Sequence, residues 1–310
     1  MKKIAIFGAG RVGESTAQFL AREELAEEIV LVDIFDGVPQ GCALDIQESA
    51  PMFNFDTIVR GDTDPGIIEG AGIVIITAGK PRKEGMSRSD LLQANMDVVG
   101  GLLQHIIKWA PDAILIMVTN PVDVLTYYAS KITQWPKNRI LGLSGVLDSG
   151  RMASFIAEES GFSSKDIDAM VLGGHGDAMV PVPQYTCVHG IPITELLDSE
   201  TIDRINDRTR KGGAEIIHLK KTSSAYGAPA AAITNMVDAI VHDRRRILPC
   251  VAMLDNQYGQ QHLCMGVPAI LDRTGIAGVV ELSLTDSQKQ EFEKSAQMIR
   301  DDLKSVDLIE

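Results

Sequence analysis

The sequence predicts an α/β protein in which an N-terminal doubly wound parallel sheet packs against a C-terminal α+β half. Three observations lead there. Residues 1–33 read as strand, glycine-rich turn, helix and second strand. The apolar runs Gly72 to Ala78 and Ala113 to Thr119 are continuous rather than alternating, as suits strands covered on both faces of a parallel sheet. Helical stretches separate the runs, which is the alternation that builds such a sheet.

Taken in order, Ile4 to Phe7 enters a turn holding Gly8, Gly10 and Gly13, and the run Ile29 to Val32 ends in Asp33. This spacing is a dinucleotide fingerprint. Gly8 allows a tight turn, Gly10 lets backbone approach a pyrophosphate, and Gly13 lets the helix pack closely on the strand, with the phosphates at the helix N-terminus. Asp33 lies 20 residues beyond Gly13, where a carboxylate accepts hydrogen bonds from a ribose. The 2′-phosphate of NADP would meet that charge, so NAD is favoured. The bland alternative is a mere tight turn; the preceding strand, the following helix and the acid at the right distance weigh against it.

Residues 37–50 read as a helix, Thr57 to Arg60 as a short strand and Arg139 to Leu143 as a further strand, giving about six strands interleaved with helices. Ligands of such sheets lie beyond the carboxyl ends of the strands. The residues there are Gly8 to Gly13, Asp33, Ala78 to Arg88, Asn120 and Asp148 to Arg151. The expected division is a dinucleotide-binding domain over 1–148 and a catalytic domain over 149–310. The second half mixes short extended runs with long helices and has no Gly/Ser-rich or Pro-rich linker, so the two should form one body. Thr285-x-x-Gln288 is a capping pattern that starts a last helix with Phe292, Ala296, Ile299 and Leu303 on one face. The basic run 242–246 reads as a solvated helix end or a subunit contact.

A chain of 310 residues that is 45% apolar and 23% charged is an ordinary soluble globule with a sizeable core. Its net charge of −13 disfavours nucleic acid and anionic membrane as partners. An anionic small substrate stays open if arginines cluster locally. Cys42, Cys187, Cys250 and Cys264 have no metal-ligand or CxxC spacing, so no metal is expected and the four read as buried, reduced thiols of a cytoplasmic protein. No apolar run reaches the roughly 18 residues of a membrane helix, and glycines interrupt the stretch after the basic start, which argues against a signal peptide.

The segment 79–88, GKPRKEGMSR, reads as a mobile lid carrying Arg82 and Arg88; surface arginines for solubility are the alternative. Asn120, in TNP, is either a plain helix cap or a donor and acceptor for a ligand. Asp148 and Arg151 are three apart, a spacing usual for a surface ion pair of little value. His175, set among Gly173, Gly174 and Gly176, changes that weighing. Histidine moves protons near neutral pH, and Asp148 can hold its other ring nitrogen as a carboxylate does in hydrolase triads. A structural histidine in a Gly-rich turn is the alternative. No GxSxG nucleophile pattern accompanies it. A dinucleotide site, an acid–base histidine and anion-binding arginines together suggest hydride transfer to or from a 2-hydroxy acid.

Through these motifs the chain resembles the lactate/malate dehydrogenase family, and within it the lactate-dehydrogenase-like malate dehydrogenases. The match runs in register through GAGRVG (8–13), Asp33, GVPQG (37–41), AGKPRKEGMSR (78–88), TNP (119–121), LDSGR (147–151), GGHGD (173–177), RTRKGGAEI (208–216) and SSAYGAPAAA (223–232). The resemblance implies that His175 takes the hydroxyl proton with Asp148 supporting its charged form, that Arg151 clamps the C1 carboxylate, and that Arg88 and Asn120 contact the C2 oxygen. It assigns cofactor contacts to Gly8, Ala9, Gly10, Arg11, Val12, Gly13, Asp33, Asn95, Val118, Thr119 and Asn120. It also implies a cis Asn120–Pro121 bond, a pocket lined by the helix start after Thr222 and Ser223, and a homotetramer, with a dimer as the other option. Arg82 stands where lactate dehydrogenases usually carry glutamine, and it suits the C4 carboxylate of malate or oxaloacetate. With lactate it would be closed in without a counter-charge, at a cost of roughly 3–5 kcal/mol. Two departures are Gly150, where alanine is common, and Gly227, where relatives often have tyrosine.

Overall fold

The computed structural model describes residues 1–80 and 88–309. Arg82 and most of the expected lid lie outside the described residues, as does the side chain of Arg88. The first half holds β1 (Lys3–Phe7), α1 (Arg11–Arg22), β2 (Glu28–Val32), α2 (Val38–Glu48), α3 (Ala50–Phe53), β3 (Ile58–Asp62), β4 (Ile73–Ile76), α4 (Arg88–Trp109), β5 (Ile114–Met117), α5 (Val122–Thr133) and β6 (Ile140–Gly142). The six strands pair in parallel in the order β3-β2-β1-β4-β5-β6. The winding therefore reverses between β1 and β4, and the crevice at such a switch point is where these sheets hold ligands.

The continuous apolar runs have a simple origin. Successive strand residues point to opposite faces, and here both faces are covered. Ala5, Phe7, Val74, Ile76, Leu115 and Met117 feed one core together with Leu92, Met96 and Val99 of α4. Ile4, Ile6, Ile29, Leu31, Ile73, Ile75 and Ile116 feed another, against Ala17, Leu20 and Ala21 of α1. At roughly 1.5–3 kcal/mol for each large aliphatic side chain removed from water, these strands anchor the crevice rigidly.

The second half holds α6 (Gly145–Ser160), β7 (Ile167–Asp168), β8 (Val171–Gly173), β9 (Met179–Pro181), β10 (Cys187–Val188), β11 (Ile191–Pro192), α7 (Ile193–Leu196), α8 (Ser199–Lys220), α9 (Gly227–Val241), β12 (Arg246–Asp255), β13 (Gln261–Asp272), β14 (Gly275–Val279) and α10 (Asp286–Lys304). Its long strands extend the first sheet. β12 joins β6 antiparallel, with Val251 opposite Gly142, and β13, β8 and β9 continue outward to make one sheet of eleven strands with β14 on β13. A second sheet of three short strands runs β11-β10-β7. α9 also lends Ile233, Met236 and Val237 to the core beneath α1, so the two halves share interior.

α10 begins with the expected capping box, in which the Thr285 side chain accepts from the Gln288 N–H and the Gln288 side chain accepts from the Thr285 N–H. Phe292, Ala296, Ile299 and Leu303 are buried as the pattern required. The run 242–246 spans the turn between α9 and β12 and the first residue of β12, and there Arg244 pairs with Asp238 and Arg245 with Asp272. The expectation for the cysteines needs correction. Cys250 and Cys264 are buried, but Cys42 and Cys187 are only half-buried, because they sit on α2 and the short β10 at the rim of the cores; all four are free thiols. No helix among the described residues is long and apolar enough to cross a membrane.

Candidate active site

The glycine turn after β1 assigns its three glycines three different tasks. Gly8 has φ +103°, and a Cβ there would lie 2.7 Å from the Ala78 nitrogen. A Cβ on Gly13 would come within 1.8 Å of the Gly8 carbonyl oxygen, so only glycine lets α1 lie this close to the strand. Gly10 faces open space, with nothing within 4 Å of a built Cβ. It is also the N-cap of α1 and supplies no side-chain cap, so the first-turn N–H groups and the positive end of the helix dipole stay available to an anion. Asp33 stands across this turn. Its Oδ2 accepts the Ala9 N–H at 2.8 Å and its Oδ1 the Phe35 N–H at 3.3 Å. The Ala9 peptide is thus spent on holding the carboxylate, and the open approach lies over Gly10. These residues fit a pyrophosphate with an adenosine ribose at Asp33.

Beyond β4, β5 and β6 a cavity of about 490 Å³ is lined by Val12, Asn95, Val118, Thr119, Asn120, Arg151 and His175 among others. It joins the glycine turn to the second half of the chain. Asn120 follows β5 through a cis bond to Pro121, and its Oδ1 accepts the Val122 N–H at 3.3 Å. The cap and the ligand roles are therefore compatible: the side chain starts α5 while the exposed residue borders the cavity. Asn95, buried on α4, spends its amide internally. Its Oδ1 accepts the Lys80 N–H at 2.7 Å and its Nδ2 donates to the Asn120 carbonyl at 2.8 Å, so it ties the segment after β4 to the turn after β5. Thr119 is similarly engaged, donating to the Ala78 carbonyl at 2.7 Å.

The chemistry sits on the opposite wall. Asp148 lies in the first turn of α6 and its side chain is 1% exposed; its Oδ2 meets His175 Nδ1 at 2.9 Å and its Oδ1 accepts from Arg151 Nη1 at 3.0 Å. One carboxylate thus orders both an imidazole and a guanidinium. The contact at Nδ1 places a proton there and leaves Nε2 as the nitrogen free for a ligand. Burial alone would lower the pKa of His175. The charge and hydrogen bond of Asp148, then the charge of Asp123, outweigh burial and the opposing Arg151, so the ring holds its proton above the ordinary histidine value. Arg151 keeps a buried Nε with no partner among the described residues, an opening that an incoming carboxylate would fill.

Three participants escaped the sequence reading. Asp123 accepts the His175 N–H through Oδ2 at 3.0 Å, and Ser295 of α10 accepts the Gly174 N–H at 2.8 Å. Arg210 of α8 lines the cavity and donates to Glu291 at 3.0 Å. Asp123 had one available signal, an acid three residues after Asn120 in the first turn of a helix. Ser295 had none, since it lies 121 positions from the backbone it holds. The resemblance placed the pocket wall at the helix start after Thr222 and Ser223, and Ser224, Ala225 and, in the first turn of α9, Pro229 line the cavity.

Comparison with known proteins gives the family. The family described as lactate/malate dehydrogenase, NAD binding domain, matches residues 2–142, and lactate/malate dehydrogenase, alpha/beta C-terminal domain, matches residues 145–308. A malate dehydrogenase of Thioalkalivibrio sulfidiphilus is 57% identical over 303 residues, covering 98% of this chain and 99% of that one. The structure of malate dehydrogenase from Salinibacter ruber superposes with a TM-score of 0.94 at 44% identity, over 98% of this chain and 97% of the other. A lactate dehydrogenase of Cryptosporidium parvum, complexed with lactic acid and nicotinamide adenine dinucleotide, superposes with a TM-score of 0.95 at 37% identity, over 100% and 99% of the two chains. Two profiles spanning nearly the whole sequence, with relatives of this identity and coverage, establish that the chain belongs to the lactate/malate dehydrogenase family.

Proposed function

We propose that the protein catalyses the reversible, NAD-dependent oxidation of (S)-malate to oxaloacetate. The observation that carries this reading is the Asp148 carboxylate shared between His175 and Arg151 on the wall of a cavity that begins at the glycine turn. The nicotinamide ring, once bound, would supply the hydride acceptor for C2 in oxidation and the hydride donor in reduction. His175 Nε2 takes the C2 hydroxyl proton during oxidation and returns it during reduction, and Asp148 stabilises the imidazolium. Arg151 binds the C1 carboxylate through two parallel N–H donors, with the orphaned Nε as one of them. Asn120 and Arg88 contact the C2 oxygen, and Arg82 binds the C4 carboxylate. Gly8, Gly10, Arg11, Val12 and Gly13 hold the pyrophosphate region with Ala9 fixing the carboxylate of Asp33, Asp33 takes the adenosine ribose, and Val118, Thr119 and Asn120 border the nicotinamide end, which Asn95 braces through its own hydrogen bonds.

The chain works as a cytoplasmic homo-oligomer, a tetramer in preference to a dimer. Free thiols support the reducing compartment. Leu44, Met52 and Phe53 around α2 and α3, with Leu219 on α8, are large apolar side chains left exposed on the single chain, as expected of surfaces that associate.

A substrate panel tests the reading: kcat/KM for oxaloacetate and pyruvate with NADH and with NADPH. Oxaloacetate with NADH should exceed every other pairing by at least a hundredfold, which corresponds to about 2.7 kcal/mol of transition-state preference. Arg82→Gln should move the preference toward pyruvate. Equal use of pyruvate by the wild type would make the protein a lactate or broad 2-hydroxy-acid dehydrogenase instead.

A further inference from the structure

The turn carrying His175 is held by two side chains from opposite sides. Ser295 takes the Gly174 N–H and Asp123 takes the His175 N–H. A Cβ on Gly174 would lie 3.2 Å from Ser295 Oγ, a tight approach that glycine avoids, and 3.6 Å from Asp123 Oδ2, an ordinary contact. A neutral acceptor suffices for the first N–H, yet the second is met by a carboxylate that is 5% exposed. The other oxygen of that carboxylate, Oδ1, is buried with no hydrogen-bond partner among the described residues. A buried anion with half its acceptors unused is expensive, and a neutral amide would hold the same N–H at lower cost. The charge therefore calls for a compensating role. Burial pushes the Asp123 carboxyl up to about 6, against the opposing hydrogen bond and charge of His175.

We propose that Asp123 is a positioning residue for His175: it fixes the backbone from which the imidazole projects and sets a second negative charge, beside that of Asp148, in favour of the protonated ring. The inference rests on reading His175 as the acid–base group. It also links the two walls of the site, because Asp123 stands three residues beyond Asn120 at the start of α5. The other groups facing this centre are Asp148 and Arg151 from α6, Cys264 from β13 and Asp302 from α10. Asp302 lines, with Asp123 and His175, a separate cavity of about 280 Å³. Burial pushes the Cys264 thiol up, so it stays neutral, and Arg151 opposes the two aspartates at the ring.

The test is a nitrogen NMR titration of the His175 ring in the free protein, identified by its loss in His175→Asn, alongside kcat and KM for oxaloacetate across pH. Asp123→Asn keeps a carbonyl acceptor for the His175 N–H, so KM stays near wild type. Its His175 ring titrates at lower pH, and the alkaline loss of oxaloacetate reduction moves down with it. Asp123→Ala removes the hold as well and lowers kcat by roughly ten- to a hundredfold, the scale of a small misplacement. Ser295→Ala lowers kcat without moving the titration. In His175→Asn, whose imidazole is gone, the amide proton of residue 175 still titrates, because the carboxylate it meets does. A folded Asp123→Asn protein whose His175 titrates as in the wild type overturns the proposal, and so does a flat amide shift at residue 175 in His175→Asn should the Asp123 variants fail to fold. Neither readout depends on turnover, so failure of the malate reading would appear separately, as a wild type that leaves NADH unoxidised by oxaloacetate.

Discussion

Asp148 divides its two oxygens between an imidazole and a guanidinium, and most residue-scale behaviour follows from that division. His175→Asn should lower kcat for oxaloacetate reduction by about 10²- to 10⁴-fold, the usual worth of a positioned acid–base group, with little change in melting temperature because the ring borders the cavity. The pH dependence has a definite sign. Reduction needs the protonated ring, so its rate is full at low pH and falls as pH rises through the pKa of His175. Oxidation needs the neutral ring and does the reverse. Since Asp148 and Asp123 hold that pKa above the ordinary histidine value, the crossover in steady-state pH profiles should lie alkaline of it, and a crossover on the acid side would contradict the assigned surroundings. At this scale the sequence was legible where residue type limits the chemistry. His175 in a glycine-rich turn and the Asp148/Arg151 spacing stood out, whereas the hold by Asp123 and Ser295 comes from elements far apart in the chain.

Elements deliver these residues, and the proposed cofactor site rests on the glycine turn. Gly10→Ala meets nothing within 4 Å, so it should cost under about 1 kcal/mol in unfolding free energy while raising KM for NADH roughly tenfold or more. Gly13→Ala drives a Cβ into the Gly8 carbonyl and should cost about 1–3 kcal/mol as overpacking does. Urea denaturation with NADH titration separates the two, and matching outcomes would refute the division of tasks. Thr285→Ala should cost about 1 kcal/mol by removing one half of the capping box, measurable as a shift in the denaturation midpoint without loss of activity. The first-half strands were legible because two-sided burial writes itself as unbroken apolar runs. The capping box was legible because both partners lie within one turn. Strand pairing in the second half was not, since β8 and β9 have only three residues each and β8, which carries β9, draws its other partner from β13, some ninety positions away.

For the whole molecule, the consequence of that late pairing is a sheet that runs unbroken from β3 to β9. The sequence indicated two halves in one body but not that β12 would carry the first sheet onward through β6. That junction sets the cavity: the glycine turn lies on the parallel side, while His175 follows β8 on the antiparallel side, and the cavity opens between them. The net charge of −13 repels a dianionic substrate at long range, so affinity rests on the local arginines, and raising ionic strength should lower KM for oxaloacetate modestly by screening the global field. The most direct measurement is a structure of the protein with NADH and an unreactive four-carbon dicarboxylate. In it His175 Nε2 should lie at hydrogen-bond distance from the C2 oxygen, with Arg151 paired to the C1 carboxylate and Arg82 to the C4 carboxylate. A complex with His175 turned from the ligand, or with the C4 carboxylate bound without Arg82, would contradict this reading.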